Sequence, residues 1–201
     1  FQPPTEQQPS SGGAMENRKS APAKDLYVLD IIICGILLSL LNFTFFATIG
    51  WLPTYLTEVG WTSVSAGAAT SLISFVEVPA ILLYPFLSDR TGRGKAIITS
   101  SFLLLALSLL ILSVKPSLSW ALAPVLGTTF GGIFVLLLVF PARFSRQEGV
   151  GRAAGAILSI GYIGALVGPT LAGYMRDRTG GFSTAFMVMS GVAALAVCLS
   201  F

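Results

Sequence analysis

Six apolar runs dominate this chain and leave few ways for it to fold. Each run is about 20 residues long, so as a helix rising about 1.5 Å per residue it crosses about 30 Å of hydrocarbon. Residues 97–114 are apolar all round, without the alternation of a membrane strand, which argues against a barrel. The pattern predicts an all-α, polytopic membrane protein that forms a bundle of six transmembrane helices. The runs cover residues 26–49, 65–87, 96–114, 120–140, 153–175 and 182–201.

The composition agrees with a lipid environment. Hydrophobic residues make up 54% and charged residues 10% of the 201 residues, and the mean hydropathy of +0.81 exceeds what a water-soluble domain of this length needs. Residues 1–24 differ, because they are rich in Pro, Gln, Ser and Gly and have no periodic apolar face. We therefore predict a disordered cytoplasmic linker over residues 1–25 and a six-helix transmembrane domain over residues 26–201.

The distribution of Lys and Arg predicts the orientation of the chain. If the first helix starts in the cytoplasm, the inside segments carry nine basic residues and the outside loops carry three, which are Lys115, Arg176 and Arg178. Basic residues accumulate in short cytoplasmic loops. We expect a multi-pass protein of the plasma membrane with both ends in the cytoplasm.

One charged turn and two later segments carry a family resemblance. Residues 85–95 read Pro-Phe-Leu-Ser-Asp-Arg-Thr-Gly-Arg-Gly-Lys between the second and third runs. They resemble the cytoplasmic loop motif of the major facilitator superfamily, although Pro85 stands where that motif usually has glycine. Residues 168–173, Gly-Pro-Thr-Leu-Ala-Gly, and residues 177–186 are similar to two further elements of this superfamily, in the same order and spacing.

The resemblance implies a transport function and half of a twelve-helix fold. A secondary active transporter of this kind moves a small solute by alternating access, as one six-helix half rocks against the other. Residues 51–60 are similar to a segment that opens the second half in cyanate-, nitrate- and organic-anion-type branches. We therefore expect the C-terminal half of a transporter, which contacts the N-terminal half and the lipid bilayer. Its solute is a small molecule, and an anion is one option. A complete small protein that starts at Met15 is the alternative.

The charged turn provides candidate residues for a conformational switch. A carboxylate near a helix end can accept backbone N–H bonds and pair with a guanidinium, so it can hold one conformation and then release it. Alternatively, the basic residues there only set the orientation. The residue types of 89–92 recur at 177–180, which indicates either an internal repeat or a common turn sequence. The switch candidates are Asp89, Arg90, Gly92, Arg93 and Lys95.

Glu77 is the ionisable residue that lies well inside an apolar run. It is about 18 Å along the helix from Asp89, near mid-membrane, where a carboxyl costs a few kcal/mol unless it faces a cavity, a partner or a proton. We predict a role in proton coupling or in substrate contact, with a packing hydrogen bond as the alternative. Further candidates for the same cavity are Asn42, Phe45, Phe46, Ser74, Thr128, Thr129 and Tyr162.

Small residues predict close helix packing in the fifth run. Gly164 and Gly168 have the spacing at which two helices approach closely, and Pro169 lacks an N–H, so we expect the helix to be interrupted there. Together with Gly173 they are candidates for a hinge or for a packing surface. Gly127 and Gly131 give the fourth helix a similar surface.

An enzyme is the class that the sequence supports least. The chain has no His and two Cys, which lie in different runs, and it has no close pair of membrane carboxylates and no Gly-rich phosphate loop. We predict no catalytic residues, no metal, no cofactor and no nucleic-acid partner. A non-transporting membrane scaffold or sensor is the alternative function, and such a protein has no reason to hold Glu77 towards a cavity.

Overall fold

The structure is a computed structural model that describes residues 22–139 and 150–200. Within these two ranges every regular element is a helix, as the all-α prediction requires. Residues 1–21 of the predicted linker lie outside the described residues, and residues 22–25 begin the first helix. The helices are α1 (Pro22–Glu58), α2 (Ser63–Thr91), α3 (Gly94–Val114), α4 (Ser119–Val139, preceded by a 3₁₀ turn at Pro116–Leu118), α5 (Val150–Thr179) and α6 (Ser183–Leu199).

Five of the six helices in the described part of the chain, α1 to α5, are long and apolar enough to cross a membrane. The sixth, α6, is equally apolar in character but has 17 residues. It packs along α3, so it is part of the same bundle. The described residues therefore form a six-helix bundle, as predicted from the six apolar runs.

α1 is longer than the sequence suggested. The first apolar run was predicted to end near residue 49, yet the helix continues through Pro53 to Glu58. Leu52 and Leu56 are 1% and 0% exposed, and the Tyr55 hydroxyl donates to the carbonyl of Ser113 at 3.2 Å. Burial of this last stretch stabilises the helix despite the N–H that proline lacks.

Contacts between helix ends show that successive helices alternate in direction. At one end of the bundle, which we call the first face, the Thr99 hydroxyl at the start of α3 lies 2.8 Å from that of Ser200 just after α6. At the opposite end, the second face, Ser183 at the start of α6 donates to the carbonyl of Ser113 at 2.7 Å. Arg176 near the end of α5 also contacts Glu58 there, with 2.8 Å between Nη2 and Oε1.

Three helix pairs form most of the interior: α1 packs on α5, α2 on α4 and α3 on α6. These pairs are symmetric between the first three helices and the last three. If α1 and α4, α2 and α5, and α3 and α6 swap names, the same three pairs result. The two copies of the repeated turn end α2 and α5 with Gly92 and Gly180, both in the left-handed region at φ 65° and 75°. Each glycine N–H donates to the carbonyl four residues earlier. The pairing and the shared cap agree with an inverted repeat of three helices.

Candidate functional site

A cavity of about 160 Å³ lies at the middle of the bundle. α1, α2, α4 and α5 form its walls, and each contributes residues from near its own midpoint. Three predicted substrate or coupling residues, Glu77, Asn42 and Tyr162, meet at this one cavity. Its full lining is Leu41, Asn42, Phe45, Phe46, Glu77, Phe130, Phe134 and Tyr162.

Glu77 is the middle residue of α2, and its side chain is half-buried. It lies against Gly131 of α4, where an added Cβ would be 2.8 Å from the Glu77 Cγ. A residue with a side chain at position 131 would thus displace the carboxyl-bearing chain. The close crossing of α2 and α4 and the placement of the carboxyl at the cavity depend on the same glycine.

Asn42 links α1 to α5 beside the cavity. The side chain is 4% exposed, and its Nδ2 donates to the carbonyl of Gly161 at 3.1 Å. Because the acceptor is a carbonyl oxygen, this bond fixes which end of the Asn42 amide carries the nitrogen. The amide oxygen of Asn42 then remains as an acceptor for a solute in the cavity.

Aromatic rings make up most of the remaining wall. Phe45 contacts Phe46 and Phe130 edge to face, with centroids 5.2 and 5.1 Å apart and interplanar angles of 83° and 73°. Phe46 also lies 6.4 Å from the ring of Tyr162. Tyr162 is 50% and Phe46 37% exposed, so the wall continues from the cavity onto the outside of the bundle.

The other predicted polar candidates do not line this cavity. Ser74 is exposed on α2, one turn before Glu77. Thr128 donates to the carbonyl of Pro124 at 2.6 Å, and Thr129, which is fully buried, donates to that of Leu126 at 2.9 Å. Both threonine hydroxyls therefore bond within α4 itself.

Sequence reasoning missed Leu41, Phe130 and Phe134, which complete the cavity wall. A Phe or Leu in an apolar run looks like any other lipid-facing or core residue. One pattern in the sequence could have identified the two phenylalanines. They are four residues apart and near Gly131, and residues at i and i+4 share one helix face.

The glycines of α5 pack directly on the backbone of α1. A Cβ on Gly164 would overlap the carbonyl oxygen of Ser39, and one on Gly168 would overlap that of Phe43. A Cβ on Gly173 would lie 2.9 Å from the ring of Trp51. These positions form the close-packing surface that the glycine spacing predicts.

The expected interruption of α5 at Pro169 is wrong, since the helix is continuous from Val150 to Thr179. Trp51 of α1 donates its indole N–H to the carbonyl of Pro169 at 2.8 Å. The N–H that proline lacks removes one hydrogen bond from the backbone of α5. The bond from Trp51 and the packing of the α5 backbone on α1 stabilise the helix at this point.

The charged turn lies at the first face, away from the cavity. Asp89 and Arg90 lie in the last turn of α2, Gly92 caps the helix, and Arg93 leads into α3. All four are exposed, as is Lys95 in the first turn of α3. The switch candidates are thus together in space, and they form a group separate from the cavity residues.

Comparison with known proteins agrees with this architecture. Residues 3–201 match the sequence profile of the Major Facilitator Superfamily, and the chain belongs to this family. It is 28% identical over 165 residues to the "Uncharacterized transporter YycB" of Bacillus subtilis, covering 81% of this chain and 40% of the relative. It is 26% identical over 172 residues to the "Cyanate transport protein CynX" of Escherichia coli, covering 83% and 44%. A "2-nitroimidazole transporter" of Escherichia coli is 27% identical over 162 residues, covering 79% and 40%.

The family resemblance that residues 85–95 and 168–186 carry is thereby confirmed. The chain spans 40 to 44% of the length of these three relatives. Together with the five apolar helices that are long enough to span a bilayer, the family identifies a multi-pass membrane protein.

Proposed function

We propose that residues 26–201 form one six-helix half of a secondary active transporter that moves a small solute by alternating access. The cavity carries this proposal: Glu77, Asn42 and Tyr162 meet at mid-bundle, and the wall continues onto the outside of the helices. A second half placed against this surface would enclose the solute. Rocking of the two halves then opens the site to each side of the membrane in turn.

Glu77 is the residue proposed to couple transport to a proton or to contact the solute. A carboxyl at the midpoint of a membrane helix costs a few kcal/mol unless it faces a partner, water or a proton. Here it borders a cavity next to the amide of Asn42. A site that binds and releases a proton as the cavity changes sides would link the solute flux to the proton gradient.

The charged turn is proposed to act as the conformational switch. Arg90, Arg93 and Lys95 place three basic residues at the first face, which supports a cytoplasmic location for this face in the plasma membrane. The start of α1 and the end of α6 lie on the same side in this arrangement. Asp89 would stabilise one conformation through charge-assisted hydrogen bonds and release it during the cycle.

The test is uptake by the complete transporter in liposomes with an imposed proton gradient, with a panel of small organic and inorganic solutes. Wild type, Glu77→Gln and Glu58→Gln are compared. Glu58 is the matched control, because its carboxyl lies at the second face in an exposed ion pair with Arg176. We expect Glu77→Gln to lose gradient-driven uptake but to retain exchange at saturating solute, and Glu58→Gln to resemble wild type.

Other results would contradict the proposal at different levels. Equal gradient-driven uptake in wild type and Glu77→Gln would reduce Glu77 to a packing residue. If the wild-type protein moved no solute of the panel, transport itself would fail, and a scaffold or sensor would be the better description.

A further inference from the structure

The hydrogen-bonding groups at the cavity are mainly acceptors. Glu77 contributes a carboxyl, which is acceptor-only when it is ionised. Asn42 uses its side-chain nitrogen on the carbonyl of Gly161, which leaves its amide oxygen. Tyr162 can donate or accept through its hydroxyl. A solute that presents N–H donors or a positive charge therefore finds more partners here than one that presents acceptors.

The aromatic rings favour the same kind of solute. The face of an aromatic ring is negative, and a cation within about 6 Å of the ring centre is attracted to it. In an edge-to-face contact only one of the two rings presents its face to the other, as in the contacts of Phe45 with Phe46 and Phe130. Phe46 and Tyr162 are 37% and 50% exposed, so their rings are accessible to a solute. The five rings at the cavity are Phe45, Phe46, Phe130, Phe134 and Tyr162.

Among the residues that the structure describes, no basic side chain lines the cavity. In the described residues, the basic side chains of α2 and α5 lie at helix ends, at Arg90, Arg152, Arg176 and Arg178. An anion bound at mid-bundle would face the Glu77 carboxyl without a counter-charge from this half. The stretches that contain the six apolar runs and are free of Lys and Arg are residues 25–89, 96–114, 116–142, 153–175 and 179–201.

We propose that the solute of this site is a small organic cation with a compact or planar apolar body, held by the Glu77 carboxyl and the aromatic rings. The inference rests on the transport function proposed above, and it departs from the anion that the resemblance of residues 51–60 suggests. The size is suitable, since a cavity of about 150 Å³ accepts a benzene molecule and this one measures about 160 Å³.

Two probes of similar shape and opposite charge test the assignment. N-methylpyridinium and benzoate each hold one six-membered ring with one small substituent, and the first keeps its charge at every pH. Uptake of each is measured in liposomes that contain the complete transporter, and the half-saturation concentration is compared between wild type and variants. The variants are Glu77→Gln, Phe45→Leu and the control Glu58→Gln.

We expect transporter-dependent uptake of N-methylpyridinium, measured above that of protein-free liposomes, and no such uptake of benzoate, which also crosses the bilayer unaided as neutral benzoic acid. Glu77→Gln should raise the half-saturation concentration for the cation by on the order of tenfold or more, because a desolvated charge pair is lost. Phe45→Leu, which keeps an apolar side chain of similar length, should raise it by about 3- to 30-fold through the lost cation–π attraction. Glu58→Gln should leave it unchanged.

Uptake of benzoate in preference to N-methylpyridinium would overturn the charge assignment and leave the transport function standing. The same holds if neither probe enters while an inorganic anion of the panel does, or if Glu77→Gln leaves the half-saturation concentration for the cation unchanged. Absence of uptake for every solute would instead remove the proposed function, and this inference with it.

Discussion

Gly164 on α5 lies so close to α1 that a methyl group could not replace its hydrogen without moving a helix. An added Cβ would overlap the carbonyl oxygen of Ser39 and lie 3.0 Å from the backbone nitrogen of Phe43. Backbone atoms cannot rotate away as the end of a side chain can. Gly164→Ala is therefore expected to push α1 and α5 apart and to destabilise the bundle.

The expected magnitude follows from two opposing effects. Forcing one extra carbon into a packed interior costs about 1 to 3 kcal/mol, whereas Gly→Ala within a helix gains up to about 1 kcal/mol from helix propensity. Gly155 on the same helix has no atom within 4 Å of an added Cβ, so Gly155→Ala reports the propensity gain alone. The difference in the free energy of unfolding between the two variants isolates the packing cost.

Thermal unfolding of the complete protein in detergent measures this difference. A change of 1 kcal/mol moves Tm by about 2 to 4 °C in a protein of 150 to 250 residues and by less in a longer one, so we expect Gly164→Ala to melt measurably below Gly155→Ala, by about 1 °C or more. If Gly164→Ala melted at the same temperature or higher, the backbones of α1 and α5 would not be in contact at this point.

Two further predictions concern the ends of the bundle. Trp51→Phe keeps an aromatic ring but removes the N–H that donates to Pro169, so it should lower the free energy of unfolding by about 0.5 to 1.5 kcal/mol in the same assay. Trp120→Phe is the control, since Trp120 is 47% exposed, and equal effects of the two would refute a contribution from the hydrogen bond. Asp89→Asn should slow solute uptake while membrane insertion stays normal, because it removes the charge of the proposed switch. Unchanged uptake at equal surface expression would rule that role out, and Asp177→Asn shows whether any effect is specific to the first face.

The apolar runs predicted the helices well because the bilayer sets both their length and their composition. The ends were harder to predict, since they depend on contacts that a linear pattern does not contain. α1 extends to Glu58 because Leu52 and Leu56 are buried against the other helices. α5 continues through Pro169 because a distant tryptophan binds its carbonyl.

The cavity was only partly predictable for a similar reason. Asn42 and Thr129 look alike as polar residues in apolar runs, but a threonine hydroxyl can bond to a carbonyl of its own helix, as Thr129 does. The longer amide of Asn42 reaches another helix. A polar side chain in an apolar run is thus predicted to need a hydrogen-bond partner. The length of that side chain decides whether the partner lies in the same helix or in a different one. Phe130 and Phe134 give no comparable signal.

The pairing of α1 with α5 and of α2 with α4 also bears on how the chain is made. Membrane helices are synthesised in order, yet the main partner of α1 emerges only after about 90 further residues, which takes roughly 5 to 20 s at translation rates of about 5 to 20 residues per second. During that time Asn42 has no Gly161 to bind, and the α1 backbone that will contact α5 faces lipid or another protein. A nascent chain arrested before residue 150 is therefore the species on which an insertion factor of the membrane would act.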